Sequence, residues 1–195
     1  MEPAKSGQPL TVLAVCTGNI CRSPAVERLL AHALGPDAGV RVASAGVRAV
    51  VGWAISEPMA DLLADAGAHG EGFAARQLTA AMVDDAALVL ALTRAHRRLV
   101  VELVPSAVRR TFTLREFARF AAAVGADALP KGSPAERLTA LIPLAAAQRG
   151  QVPADHRDDD VLDPYGGGDR LYALSFGRMR PAVDTIAEVL RGRPW

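Results

Sequence analysis

The stretch Leu10-Thr-Val-Leu-Ala-Val-Cys-Thr-Gly-Asn-Ile-Cys-Arg-Ser-Pro24 decides how the rest of the chain is read. Leu10 to Val15 is a continuous apolar run with β-branched members, as expected for a strand buried on both faces of a parallel sheet. Cys16 to Ser23 is rich in loop formers. Ser23 followed by Pro24 predicts a helix start, with a hydroxyl cap and then proline at the first helical position. Val26, Leu29, Leu30, Ala33 and Leu34 keep helical spacing, and Gly35-Pro36 closes the helix. The unit is strand, tight loop, helix.

Outward from this unit the pattern repeats. Val40 to Ala43 reads as a second strand. Pro58 opens a helix carrying Met59, Leu62, Leu63 and Ala66 on one face, with Gly67 at its end. Ala87 to Leu92 is a third buried strand. Thr93 caps a helix through Val104 that Pro105 ends, and Arg110 to Thr113 reads as a fourth strand. Strands alternating with helices imply right-handed crossovers and an α/β, doubly wound parallel sheet. Ligands of such sheets bind beyond the carboxyl ends of the strands, which is where the Cys16 loop lies. Leu114 to Gly125 and Pro134 to Gln148 read as Ala-rich helices, an excursion over one side of the domain before the Asp163 loop. Met179, Val183, Ile186 and Leu190 form a helical stripe, and Pro181 inside it predicts a kink or a late restart. The expected organisation is a flexible tail over residues 1–9 and one domain over 10–195, with an enlarged helical and loop region at 114–161.

Composition narrows the function. The 195 residues are 50% hydrophobic and 22% charged, which is globular and argues against a mostly disordered chain. Twenty-two Lys and Arg against 21 Asp and Glu leave a formal charge of +1, no footprint for a nucleic-acid or anionic-membrane surface. No apolar run approaches the roughly 18 residues of a membrane span. No secretory leader is expected at the N-terminus. The two cysteines sit in one short motif and cannot build a disulfide framework, which suits a reducing, cytoplasmic compartment.

Cys16 and Arg22 have a spacing with chemical meaning. A short loop between a strand and a helix N-terminus can turn successive backbone N–H groups inward, and the helix dipole reinforces them as an anion nest. Gly18 and Asn19 are the residues that tolerate left-handed backbone there. A cysteine at the base of the nest feels a positive potential that favours its thiolate. Arg22 presents a planar fork suited to two phosphate oxygens, and Ser23 is placed to donate to the thiolate. Thr17, Gly18, Asn19, Ile20 and Cys21 make up the rest of the phosphate-binding loop. A buried inert thiol would need none of this, and two cysteines without a nearby histidine make a poor zinc site. Cys21 either bridges to Cys16 on oxidation or simply packs. A thiolate attacking a phosphate ester needs a proton donor for the leaving oxygen. Asp163-Pro164 precedes Gly166, Gly167 and Gly168; the dipeptide alone reads better as an ordinary turn.

Val15 to Pro24 resembles the signature loop of the low-molecular-weight protein tyrosine phosphatases, bacterial type. Ser44-Ala-Gly46, Ala75-Arg-Gln-Leu78, the Leu88-Val-Leu90 strand with His96 beyond it, and Asp163-Pro164-Tyr165 match in order, so the resemblance spans Leu10 to Leu190. It reverses the reading of Asp163. The resemblance implies a four-stranded parallel sheet flanked by helices and cofactor-free, metal-free hydrolysis of phosphotyrosine in two steps. Cys16 would attack phosphorus and form a phosphocysteine. Arg22 and the loop amides would hold the equatorial oxygens, and Asp163 would serve as general acid and then base. Asn19, Ser23 and Ser44 would form the supporting network, and Val50 and Tyr165 the pocket mouth. The expected partner is a phosphotyrosine protein, a bacterial tyrosine kinase among the candidates, with phosphate-like anions also bound.

The chain departs from the family pattern at several points. Phe73 stands where members often carry histidine. The pocket wall after Ser-Ala-Gly, aromatic in eukaryotic members, is aliphatic here at Val50 or Val51, with Trp53 nearby. Gly166 replaces a second tyrosine. The main alternative is an arsenate reductase resolved by a small thiol on the same loop; the third reading is a non-catalytic phosphate-binding module. Elsewhere, Asp155 to Asp160 reads as a solvated acidic loop without metal-site spacing. Arg97-Arg98 and Arg109-Arg110 read as solvated faces, His32, His69 and His96 as surface or packing residues, and Trp195 as a docking contact or tail.

Overall fold

Leu10–Cys16 forms the strand its apolar run predicts, β1, and every residue from Thr11 onward in it is buried. The computed structural model describes residues 9–152 and 159–192. After β1 come α1 (Arg22–Leu34), β2 (Val40–Gly46), α2 (Glu57–Asp65), α3 (Ala80–Asp84) and β3 (Ala86–Ala91). Then follow α4 (Arg94–Leu103), β4 (Thr111–Thr113), α5 (Leu114–Val124), α6 (Pro134–Ala147) and α7 (Asp169–Arg191). The sheet has the order β2-β1-β3-β4, and all of its pairings are parallel. This is the four-stranded, doubly wound arrangement expected from the alternation of elements.

The period-two alternation of β1 divides the core. Val12, Ala14 and Cys16 face a large cluster with residues of α1, α2, α5, α6 and α7, while Leu13 and Val15 face a smaller one with Val83 of α3 and Val100 of α4. β3 divides likewise, with Leu88 and Leu90 on the first side and Val89 on the second. A strand buried on both faces cannot slip by one residue without exchanging its two hydrophobic sets, so the register that carries Cys16 to the sheet's carboxyl edge is fixed.

Differences from the sequence reading have physical causes. β2 runs beyond Ala43 through Ser44-Ala-Gly46, because Gly46 aligns with Cys16 and the β1 ladder continues to that point. The five-residue α3 was not expected; Thr79 begins it by accepting a hydrogen bond from Met82 N. α7 does not restart at Pro181 but runs through it. Proline in a helix interior costs about 3 kcal/mol, yet Met179, Val183, Ile186 and Leu190 are all buried. Each such side chain contributes roughly 1.5–3 kcal/mol, so packing wins. The carbonyl that the proline ring crowds belongs to Gly177, which a Cβ would leave in open space. The helices expected at Leu114 and Pro134 are present, and each starts with a reciprocal capping box, Thr113 with Glu116 and Ser133 with Glu136. Residues 1–8 of the expected tail, residues 155–158 of the acidic loop and Trp195 lie outside the described residues.

Gly46 is where the fold meets the Cys16 loop. A Cβ there would lie 2.4 Å from the Thr17 carbonyl oxygen and 3.1 Å from Ala49 Cα, both backbone atoms that cannot swing away. Gly46→Ala is therefore expected to lower unfolding stability by about 1–3 kcal/mol, read as a lower urea midpoint at unchanged slope. An unchanged midpoint would show that this close approach does not constrain the loop.

Candidate active site

Cys16 ends β1 and is 2% exposed. The carbonyls that follow are tied outward: Cys16 O accepts from Val47 N at 2.9 Å, Thr17 O from Arg48 N at 3.0 Å, Gly18 O from Val50 N at 3.0 Å and Ile20 O from Ser56 N at 2.8 Å. In a planar trans peptide the N–H points opposite to the C=O. Fixing these carbonyls against residues 47–56 therefore turns the intervening N–H groups toward the sulfur. Asn19 N donates to Cys16 Sγ at 3.3 Å. The arrangement is an anion nest at the start of α1.

Asn19 makes the turn. It has φ 56°, the one non-glycine residue in the left-handed region among those described, and it is fully buried. Its side chain is the reason it stays there. Nδ2 donates to Ser23 Oγ at 2.9 Å and Ser44 Oγ at 2.8 Å, and Oδ1 accepts from Arg76 N at 2.8 Å. Ser44 in turn donates to Glu27 Oε2 at 2.7 Å, which the Arg76 guanidinium also reaches at 3.2 Å. Gly18, expected to share the left-handed role, does not have a positive φ, and a Cβ there would make only ordinary contacts with Ile20 and Val50. Ser23 is not the helix cap either. α1 begins at Arg22 with Cys21 in the cap position, and Ser23 Oγ lies 2.9 Å from Cys16 Sγ.

Arg22 is 4% exposed. One of its terminal nitrogens donates to Val161 O at 3.2 Å and the other to Asp163 Oδ2 at 2.5 Å. Its Nε is buried without a hydrogen-bond partner among the described residues, a donor that an oxyanion would satisfy. Asp163 is half exposed and accepts from Tyr165 N at 3.3 Å through its other oxygen. Cys16, Arg22 and Asp163 line one cavity of about 180 Å³ with the intervening loop, Arg48, Val50 and Tyr165. A thiol at the floor, inward N–H groups, a guanidinium fork and a carboxyl at the rim suit a tetrahedral oxyanion bearing a leaving group.

The model of the low molecular weight phosphotyrosine protein phosphatase family matches residues 11–129. The chain belongs to that family. A protein-arginine-phosphatase of Geobacillus stearothermophilus is 30% identical over 183 residues, 94% of this chain and 97% of that protein. The low molecular weight protein-tyrosine-phosphatase Etp of Escherichia coli K12 is 43% identical over 101 residues, 52% of this chain and 66% of that protein. Among solved structures, the Geobacillus stearothermophilus YwlE arginine phosphatase superposes with TM-score 0.68 at 29% identity, covering 94% of each chain. The Erwinia amylovora tyrosine phosphatase amsI superposes with TM-score 0.66 at 25% identity, covering 93% of each. These relatives are named phosphatases, which does not favour the arsenate-reductase reading.

Against the family pattern, Phe73 replaces a histidine without opening the network. Its ring is buried with Arg28 stacked 5.8 Å from its centroid, and Glu27 and Arg76 close the hydrogen bonds around Ser44 and Asn19. Of the candidate wall residues, Val50 lines the cavity, whereas Val51 and Trp53 are well exposed and do not. Tyr165 stands at the mouth. Cys16 and Cys21 are both free thiols. Burial pushes the Cys21 thiol up, while the Tyr172 hydroxyl, 3.7 Å from its sulfur, works the other way. Among the described residues there is no metal-holding cluster, and no helix is long and apolar enough to cross a membrane.

Several charged side chains read as solvated have specific partners, and His96, read as surface or packing, is buried. Asp159 is buried and pairs with Arg119 at 2.8 Å, and Asp160 accepts from Arg94 N at 2.8 Å. Asp159 is thus buried rather than solvated, and Asp160 is pinned to the start of α4 with its side chain partly exposed. Arg97 reaches Glu116 at 3.3 Å, and Arg110 Nε donates to Ala86 O at 3.0 Å. His96 is buried, with Nε2 2.9 Å from Thr17 Oγ1 and Nδ1 2.9 Å from Thr93 Oγ1. The available signal was its place three residues beyond a capping threonine, at the carboxyl edge of β3.

Burial first, and then the Arg22 charge, lower the His96 pKa from 6.5 to about 4, so the imidazole is neutral at neutral pH. Between those values the unfolded chain holds the proton and the folded chain does not. Stability that is present above pH 6.5 is therefore lost as pH falls toward 4, by an amount on the order of 3 kcal/mol. Urea unfolding across this window should fall more steeply for the wild type than for His96→Gln. Parallel slopes would show that His96 does not titrate there.

Proposed function

We propose that the chain hydrolyses phosphotyrosine in proteins, and small aryl phosphates, through a phosphocysteine formed on Cys16. The observation that carries this reading is the loop with its carbonyls bonded outward and Asn19 N donating to the Cys16 sulfur, beside a buried Arg22 with an unused donor. The Cys16 thiolate attacks phosphorus as the bond to the phenolic oxygen breaks. Arg22 and the loop N–H groups hold the three equatorial oxygens, where charge spreads. Asp163 gives its proton to the departing oxygen. In the second step Asp163 takes a proton from water, the water oxygen attacks phosphorus, the P–S bond breaks and inorganic phosphate leaves. No metal or cofactor enters either step. The substrate protein would be a phosphotyrosine protein of the cytoplasm, a bacterial tyrosine kinase among the candidates.

A second reading, phosphoarginine hydrolysis, is favoured by one finding: the relative aligned over 94% of this chain is named a protein-arginine-phosphatase. The pocket chemistry ranks it second. Ile20 and Val50 are apolar walls, suited to the face of a phenyl ring, whereas a guanidinium brings N–H donors that need acceptors. Asp163 is the one carboxylate among the lining residues, and it is paired with Arg22.

Turnover of p-nitrophenyl phosphate at mildly acidic pH should persist with a chelator and vanish in Cys16→Ser, which still binds phosphate. Asp163→Ala should slow phenyl phosphate, a poor leaving group, by about 10²–10⁴-fold and p-nitrophenyl phosphate far less. Equal losses would remove Asp163 from the acid role. Relative kcat/KM on matched phosphotyrosine and phosphoarginine peptides decides between the two readings; a higher value for phosphoarginine would overturn the first.

A further inference from the structure

A second cavity of about 580 Å³ lies against the catalytic loop and shares Thr17 and Arg48 with the first. One wall is α4. Its buried face carries His96 and Val100, while Leu99 and Leu103, one turn apart, are 39% and 45% exposed and line the cavity. The other wall is built where Gly46 and Gln77 form a parallel bridge, and presents Val47, Gln77 and Leu78. The backbone of this wall is held by Gln77, whose Oε1 accepts from Ala49 N at 3.0 Å and whose Nε2 donates to Val47 O at 3.1 Å. The cavity is thus a preformed apolar groove. Arg48 stands on the ridge between the two cavities, exposed, and its guanidinium has no hydrogen-bond or ion-pair partner among the described residues.

We infer that this groove is a second substrate subsite, which seats an aliphatic side chain close in sequence to the phosphotyrosine while Arg48 takes an acidic side chain between them. The inference rests on the phosphotyrosine reading of the Cys16 pocket and refines it into a substrate class: peptides with an apolar and an acidic residue beside the phosphotyrosine. Continuity carries it. A chain whose phosphoryl group reaches Cys16 must leave the pocket over its rim, and on the Thr17 and Arg48 side that rim is the lip of the groove. Charge supports it, because an unpaired guanidinium at the lip complements a carboxylate. Leu99 and Leu103 are each less than half exposed and line none of the Cys16 cavity, and the apolar surface they leave uncovered faces the groove.

A set of phosphotyrosine peptides with leucine moved through the three positions on either side, over a glycine and glutamate background, tests this. Wild type should favour leucine at one position by about fivefold in kcat/KM. Leu99→Asp and Leu103→Asp should erase that preference while leaving p-nitrophenyl phosphate turnover unchanged. Replacing the peptide glutamates by glutamine should weaken wild type but not Arg48→Gln. Equal kcat/KM across the set, with p-nitrophenyl phosphate turnover intact, would overturn the subsite and spare the phosphatase reading. A concentration-dependent dimer in sedimentation that Leu99→Asp disperses would also overturn it, by assigning the groove to a second copy of the chain. Absence of turnover on every aryl phosphate and peptide would sink the phosphatase reading and the subsite with it.

Discussion

The carbonyls of the Cys16 loop have to point away from the pocket. Everything else about the site depends on that constraint. A loop of polar backbone beside a buried sulfur must satisfy both its C=O and its N–H groups, and each buried group left unpaired costs about 1–3 kcal/mol. Residues 47–56 take up the carbonyls of Cys16, Thr17, Gly18 and Ile20. The N–H groups are left for an anion. The segment can come so close only because Gly46 has no side chain and because Gln77 holds Val47 and Ala49 from behind. The shape of the Cys16 loop is therefore a property of three chain regions, β1 with its loop, the stretch after β2, and the Arg76-Gln77 pair, and not of the signature loop alone.

Asn19 links the same regions from inside. Its left-handed backbone is unfavourable for a residue with a Cβ, though least so for asparagine. Three side-chain hydrogen bonds over-determine it. They continue through Ser44 to Glu27, a buried carboxylate that would be costly unpaired and is met by Ser44 and Arg76. The chain that begins at the Cys16 sulfur passes through Ser23, Asn19, Ser44 and Glu27 to Arg76. This explains why a phenylalanine is accommodated at residue 73. The network closes without a side chain from that position, and Phe73 contributes burial and a cation–π contact with Arg28 instead.

Much of the fold was legible because its signals are local and periodic. Leu10 to Val15 and Ala87 to Leu92 announce buried strands by uninterrupted apolar runs, and Thr93 announces a helix start by a side chain that acts within three residues. What the sequence could not show depended on distant partners. Ser23 looked like a cap because Ser-Pro often is one, but its hydroxyl is engaged by the Cys16 sulfur, Asn19 and the Ala45 carbonyl, and α1 already begins at Arg22. Pro181 looked like a break because the packing of α7 against α1 and α5 is not written in local propensity. Asp159 and Arg97 looked solvated because their partners, Arg119 and Glu116, are 40 and 19 residues away, and the Thr17 partner of His96 is 79 residues away. Local chemistry located the site, and long-range contacts decided the role of each residue around it.

Asp163 illustrates the second kind of information. It reaches Arg22 from 141 positions away, on a segment with its own attachments. Val161 N donates to Leu92 O at 2.9 Å, Arg94 N to Asp160 at 2.8 Å, and Ser175 Oγ to Leu162 O at 2.9 Å. The carboxylate is thus mounted on the end of β3, the start of α4 and the first half of α7, while the thiol is mounted on β1. Arg22, the first residue of α1, bonds to the carboxylate's segment through Val161 O and Asp163. A tetrahedral dianion in the nest competes with Asp163 for the same guanidinium. Under the proposed mechanism that competition has a consequence: the group that would bind the phosphoryl oxygens is also the group that pairs with Asp163. Binding would then free the carboxyl toward the leaving oxygen by a change of partner at the Arg22 fork, with the paired β1 and β3 that carry the two groups left in place.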